Sequence, residues 1–358
     1  MTTPVSARDL RTQLETLVRA LGAPDDQARI VADNLVEADL RGVDSHGAHL
    51  MALYHGRVRS GHLGPVTTLT TLDDRGSTVR LDGGIGFGQV AGVAAVDLAI
   101  ERARSHGVAV VSVREITHVG ALGYYTMRAA AQGCFAMAFQ NGGTIVPPFG
   151  GTTGLFSTNP FSYAVPAGRH PDVVYDVATT AAAGNKILLA RKRGDASIPE
   201  GWANDEHGYP TTDPAAASMS QLQWFGGHKG FGIGLLVEIM AGVLADSSFG
   251  TTEHSESELT GWDRIAKGAS FVVLDVGRFL PVDQFRDHVD RLIDDIHASD
   301  VAPGFDRVLV PGELEAERRA ERLERGIPLP DALVEELDEI ADSLGCPPLV
   351  TSKEKGKA

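Results

Sequence analysis

Two short runs hold the side chains best suited to moving a proton: Arg41-Gly42-Val43-Asp44-Ser45-His46-Gly47 and Thr117-His118-Val119-Gly120. Imidazole titrates near neutral pH and serves as acid or base. The helical pattern of residues 25–41 stops at Gly42, and another starts at about Ser45. This spacing predicts Ser45 and His46 in the first turn of a helix, where unpaired N–H groups and a partial positive charge suit an anionic or carbonyl-bearing ligand. His118 follows a predicted strand, Val108 to Val113, and precedes a helix, and such loops are where ligand sites collect. A third run, Gly226-Gly227-His228-Lys229-Gly230, opens a helix with glycines that permit close approach and a lysine suited to phosphate. Its competing reading is a plain glycine turn with a solvated lysine.

Two other motifs are weaker. Gly86-Phe87-Gly88-Gln89-Val90-Ala91-Gly92 leads into a helix like a dinucleotide loop, but no acidic residue follows at a second strand's end to hold a ribose, so it reads as a glycine-rich turn. Asp44, His46 and His49, with His55 and His62 beyond, have the residue types of a zinc or iron site. The later histidines do not share the face of His46, and no distant pair completes a shell, so no metal is expected.

Composition narrows the partners. With 358 residues, 43% apolar and 22% charged, the chain suffices for two or three packed units. A net charge of -15 argues against nucleic acid or an anionic membrane and for a small-molecule substrate. Cys134 and Cys346 are the two cysteines, which supports neither a disulfide framework nor a thiolate cage and fits a reducing cytoplasm. Charges run through residues 1–30, unlike a signal peptide, and the uncharged run 129–168 is broken by Pro147, Pro148, Pro160 and Pro166.

The elements that must position these residues follow from periodicity. Ser6-x-x-Asp9 caps a helix with Leu10, Leu14, Leu17 and Leu21 on one face, and Asp25 to Arg41 repeats the pattern. A third helix runs from about Ser45 to Arg59. From Val66 strand-like runs begin, with a turn at residues 73–76 and a boundary near residue 75. Helices at 90–105 and 120–131 alternate with strands at 108–113 and 135–139, an α/β pattern. Further strands are expected at 161–165, 173–178 and 270–276, a long helix at 229–245, and helices beyond Pro281. The resulting division is an N-terminal helical unit (1–75), a central α/β cofactor-binding domain (76–280) and a C-terminal helical segment (281–358), with a mobile tail at 351–358.

The order and wording of several phrases resemble the type 2 malate/L-lactate dehydrogenase family of NAD(P)-dependent oxidoreductases, which includes ureidoglycolate, sulfolactate and diketogulonate enzymes and cyclic-imine reductases. They are Asp44-Ser45-His46-Gly47 with Tyr54, Thr117-His118-Val119-Gly120, Pro148-Phe149-Gly150-Gly151, Thr158-Asn159-Pro160, Asp176-Val177-Ala178-Thr179, Ile198-Pro199-Glu200-Gly201-Trp202-Ala203, Pro210-Thr211-Thr212-Asp213-Pro214, Gly227-His228-Lys229-Gly230 and Pro311-Gly312-Glu313. The resemblance implies a non-Rossmann nucleotide-binding α/β domain with a mixed sheet, flanked by a helical domain formed from both chain ends, in a homodimer. It implies catalytic roles for His118, His46 and Ser45. Contacts to NAD or NADP would come from Asp176, Val177, Ala178, His228, Lys229, Gly142, Gly312 and Glu313, and substrate contacts from Leu50 and Tyr54. Two positions depart from the family pattern: Leu50 stands where an arginine is usual, and Gly142 where a serine is usual. The implied reaction is hydride transfer at C2 of a 2-hydroxy/2-oxo acid. A cyclic imino acid substrate is the alternative, and a non-catalytic or metal-dependent protein on the same scaffold is a second one. Lys186, Arg191 and Lys192 either meet a 2′-phosphate or form a solvated helix face.

Overall fold

A computed structural model describes residues 2–252 and 266–349; the expected mobile tail lies outside the described residues. The chain opens with strand β1 (Thr2–Val5) and helices α1 (Ala7–Ala20) and α2 (Asp25–Leu40). Ser6 Oγ accepts the Asp9 N–H at 3.1 Å, so the expected cap is formed. Leu10, Leu14, Leu17 and Val18 of α1 are buried against Val31, Leu35 and Val36 of α2 in a helical core. Helix α3 (Leu50–Arg59) adds Met51 and Tyr54 to that core.

The central unit follows as β2 (Thr70–Asp74), β3 (Thr78–Gly86), α4 (Gly88–His106), β4 (Val108–Ile116), α5 (Gly123–Ala130), β5 (Cys134–Gln140), β6 (Phe161–Val165) and β7 (Val173–Val177). After α6 (Gly184–Arg193) and the small hairpin β8 (Ala203–Asn204) and β9 (Pro210–Thr211) comes α7 (His228–Glu238), which continues as a π turn over Ile239–Val243. Strand β10 (Lys267–Asp275) returns into the middle of the sheet. The seven-stranded order is β2-β3-β4-β10-β5-β6-β7, so two strands adjacent in sequence, β4 and β5, are separated by one from far downstream. Among the described residues, β3–β4 is the one parallel pair of this sheet. The boundary expected near residue 75 falls in the turn between β2 and β3, which places the first strand of that hairpin with the sheet.

Alternation along β10 shows why the sheet is covered on both faces. Ala269, Phe271 and Val273 pack with α4 and α5, whereas Val272 meets Val237 and Ala241 of α7 and its π turn. The chain then forms α8 (Val282–His297), α9 (Glu313–Arg325), β11 (Ile327–Pro330) and α10 (Asp331–Ser343). Strand β11 pairs antiparallel with β1, and Ile327, Leu329, Leu337 and Ile340 join the N-terminal helical core, so both chain ends build one unit.

Candidate functional site

Ser45 and His46 do not sit in the first turn of an α-helix. Asp44–His46 form a single 3-10 turn, and α3 begins only at Leu50. The cause is Asp39, buried near the end of α2, whose carboxylate accepts the Ala48 N–H at 2.8 Å. That carboxylate fills the space beside Gly47, where an added Cβ would lie 1.7 Å from Asp39 Oδ1. Burial pushes Asp39 up to about 7, against the stabilising Ala48 N–H. Arg322 of α9 locks the turn from outside, donating to the Asp39 carbonyl and to Asp44 Oδ1. A carboxylate and an arginine from the other chain end thus hold the turn, in place of a helix dipole.

His118 is set by three close approaches. Thr117 Oγ1 donates to the Gly86 carbonyl at 2.9 Å and accepts the Gly88 N–H at 3.1 Å. An added Cβ on Gly88 would lie 2.5 Å from the Thr117 carbonyl oxygen and 2.6 Å from that of His118, so the glycine turn read as a poor phosphate loop is the surface on which His118 rests. Gln140, at the end of β5, donates to the Thr117 carbonyl at 3.2 Å and accepts the Val119 N–H at 3.4 Å, gripping the backbone on both sides of the imidazole. Buried Asn34 then packs on Gly120, whose φ of +77° and lack of a side chain are both required there.

These two loops bring the imidazoles of His46 and His118 together, ring centroids 5.3 Å apart and planes 30° from parallel. Ser45 Oγ lies 2.9 Å from His46 Nδ1. The Gly120 N–H donates to His118 Nδ1 at 3.3 Å, which leaves Nε2 as the nitrogen open to a ligand. Burial, then the neighbouring His49, lowers His46 to about 4. Burial, then His46, Lys267 and Arg57, holds His118 well below its ordinary value. Two neutral imidazoles in contact can give and take one proton between them but cannot both be charged.

The same two loops also supply Val43 and Ala121 to the wall of a cavity of about 380 Å³, which neither histidine lines and which is completed by Asp176, Val177, Gly312, Glu37, Arg41 and Glu315. Its size suits part of a dinucleotide. Asp176, at the end of β7, accepts the Gly123 N–H at the start of α5 at 2.6 Å. Burial raises Asp176 to about 6, opposed by that N–H and by Arg41. Gly312 sits directly on β7, where an added Cβ would be 2.9 Å from Val174 N. The residues present therefore fit a nucleotide cofactor: a carboxylate for ribose hydroxyls, a backbone that approaches without side chains, and an open hollow.

Of the remaining expected site residues, Ala178 follows Val177 directly. Glu313 begins α9 and accepts from the Val310 N–H at 2.8 Å and pairs with His297 at 2.9 Å, facing a second cavity of about 590 Å³ that shares Leu309 with the first. His228 and Lys229 are exposed at the start of α7 and line neither cavity. Gly142 lies against Ser157, whose Oγ would be 2.5 Å from an added Cβ. Tyr54 is 1% exposed and accepts from Gln89 Nε2 at 2.6 Å, so it supports the helical core beneath the turn of residues 86–89. Leu50 opens α3 and packs, partly buried, on the helical core; the 3-10 turn removes the helical register that would have put it one turn from His46. Sequence reasoning missed Asp39, Asn34 and Gln140. The glycines at 47 and 120 were the available signal, since each marks a place that one of these side chains must enter. Among the described residues, no group of three or more His, Cys, Asp or Glu is placed to hold a metal ion, and no helix is long and apolar enough to cross a membrane.

Fold and site together define a class: an α/β protein on a mixed seven-stranded sheet with two histidine rings in contact between its loops. The malate/L-lactate dehydrogenase family model matches residues 5–338, and the chain belongs to that family. Malate dehydrogenase of Pyrococcus horikoshii is 34% identical over 337 residues, covering 91% of each chain. The structure of sulfolactate dehydrogenase from Methanocaldococcus jannaschii superposes with a TM-score of 0.88 at 32% identity, covering 97% of this chain and 98% of that one. That of delta1-piperideine-2-carboxylate reductase from Pseudomonas syringae gives 0.83 at 30% identity, covering 95% of this chain and 100% of that one. Dehydrogenases of this family use nicotinamide cofactors.

Proposed function

We propose that the chain catalyses reversible hydride transfer between a nicotinamide coenzyme and C2 of a 2-hydroxy/2-oxo acid. The observation that carries this reading is the neutral pair His46 and His118, whose two loops also supply Val43 and Ala121 to the cavity bounded by Asp176 and Gly312. A cyclic imino acid with a carboxylate at the carbon to be reduced is the second substrate class, supported by the likeness to the piperideine-2-carboxylate reductase. Asp176, Val177, Ala178, Gly312 and Glu313 form the coenzyme face in this reading, with Gly142, His228 and Lys229 as further contacts.

Nicotinamide, when bound, supplies a hydride donor or acceptor at C4. His118 handles the proton at Nε2, because its Nδ1 is turned to the Gly120 N–H. Reduction needs the pair to carry one extra proton, and His46, oriented through Ser45, passes a proton from solvent to the His118 ring. The C2 oxygen takes the Nε2 proton in step with reduction at C2, and the neutral ring left behind keeps its proton on Nδ1, giving up the Gly120 N–H. Oxidation runs the same transfers backwards. An anionic substrate beside the rings raises their affinity for a proton, so the ternary complex holds the proton more tightly than the free enzyme does.

NAD is the coenzyme this cavity favours over NADP. Glu37, Asp176 and Glu315 ring it with Arg41 as their counter-charge, and a 2′-phosphate would add negative charge to that wall. Two cations that could relieve it are engaged elsewhere: Arg191 donates to the carbonyls of Pro214 and Ala217, and Lys186 lies over the Trp202 ring at 5.8 Å. A homodimer is supported by the exposed apolar row Leu235, Leu236, Ile239 and Val243 along α7 and its π turn, a face that a second copy would cover. The deciding experiment is a panel of 2-oxo acids and cyclic imino acids assayed with NADH and NADPH. Turnover of 2-oxo acids with NADH is expected, and absence of turnover with both substrate classes would sink the reading.

A further inference from the structure

Strand β10 begins at Lys267, and its register sets that residue opposite Ile116, two positions before His118. On its other side β10 pairs with β5, Ala269 opposite Gln140, and continuing the register brings Lys267 to Gly142. Lys267 therefore stands between the carboxyl ends of β4 and β5, flanked by the loop that carries His118 and the loop that begins at Asn141. The backbone there is tied: Asn141 Oδ1 accepts the Gly268 N–H at 3.0 Å, and the Asn141 N–H donates to the Gly268 carbonyl at 3.3 Å. The side chain turns to the same place, with Nζ 3.5 Å from where a Cβ on Gly142 would be, and the residue is 7% exposed. Its charge adds to burial and to His46 in holding His118 down, and Arg57 of α3 acts on that ring more weakly.

A 2-oxo acid and a cyclic imino acid share one feature, a carboxylate bonded to the carbon that receives the hydride. The two histidines carry at most one proton between them, which is the proton transferred, so they offer the carboxylate no lasting counter-charge, and Asp176 lies on the coenzyme face. An anion desolvated between them needs a cation within reach, and an ammonium is a compact point charge with three donors. We propose that Lys267 is the specificity-determining group that holds the substrate's carboxylate beside His118. Holding that carboxylate also fixes the adjacent C2 at His118 Nε2, because the two carbons are directly bonded. The absence of a side chain at Gly142 leaves the ammonium room on the coenzyme side.

This inference rests on the reaction proposed above, and its test reads binding so that the two can fail separately. Oxamate, which presents a carboxylate next to a carbonyl, and neutral oxamide are titrated calorimetrically into the enzyme–NADH complex. Lys267→Met should weaken oxamate by roughly 10- to 100-fold, the range for a lost charge-assisted hydrogen bond, and leave NADH and oxamide affinities unchanged. Lys267→Arg should retain most of the oxamate affinity. Unchanged oxamate affinity in Lys267→Met, or equal losses for oxamate and oxamide, overturns the assignment. Should that variant fail to fold, the parent decides: it must bind oxamate at least about 10-fold tighter than oxamide, and equal binding overturns the assignment. A parent that binds oxamate through Lys267 yet reduces no oxo acid removes the reaction and leaves this site standing.

Discussion

At the histidine junction polar side chains are tied to backbone: Asp39 to Ala48, Gln140 to Thr117 and Val119, and Gly120 to His118. At the coenzyme cavity the side chains are charged and face one another, with Glu37, Asp176 and Glu315 around Arg41. Desolvation leads in both regions: in the first it keeps both imidazoles neutral, and in the second it raises Asp176 and lowers Arg41, opposed there by the attraction between the two charges. The difference teaches that a change near the histidines acts through position and burial, and a change near the cavity acts through electrostatics that the coenzyme itself can replace.

The largest effect should come from His118→Asn, which keeps a polar side chain and removes the proton. It should lower kcat by ~10²–10⁴ while NADH binds as before, measured by steady-state rates and fluorescence titration. Near-normal turnover would transfer the proton role to His46 and break the division between the two regions. Asp176→Asn should do the reverse, weakening NADH by roughly 10- to 100-fold with kcat at saturation nearly intact, if the carboxylate binds ribose hydroxyls as a charged acceptor. A fall in kcat without a change in coenzyme affinity would show that the regions are not separable.

The pH dependence sharpens the same contrast. Burial lowers His46 to about 4 and His118 well below its ordinary value, so the neutral form that accepts a proton persists as pH falls below 6.5. The acid limb of kcat/KM for hydroxy-acid oxidation should therefore lie at least about one pH unit below 6.5, because this profile reports free-enzyme groups. A limb at 6.5 or above would mean that the pair is solvated. The smallest effect is expected of Leu50→Arg. Leu50 packs on the helical core, and the new side chain can extend to solvent, so kcat/KM for small oxo acids should move by less than about threefold. A large gain for dicarboxylic oxo acids would place residue 50 in the substrate pocket after all.

Much of this protein was legible in one dimension. The Ser6 cap, the faces of α1 and α2, strand β6 and the start of β4 follow from local hydrogen-bond chemistry and apolar period, which act over a few residues. The two histidines were legible for a similar reason, since each adjoins glycines that mark a tight approach. Tertiary structure alone decided the rest. Periodicity reports which face of an element is apolar and is silent about its partner, so it could not show that β10 enters between β4 and β5, or that β11 closes on β1. Nor could it show that the Ser45–His46 turn is 3-10, because the carboxylate that stops the helix reaches Ala48 across nine residues and Arg322 reaches Asp44 across 278. Lys267 is the sharpest case: its sequence neighbourhood carries no signal, and only sheet register brings its charge between the loops of His118 and Gly142.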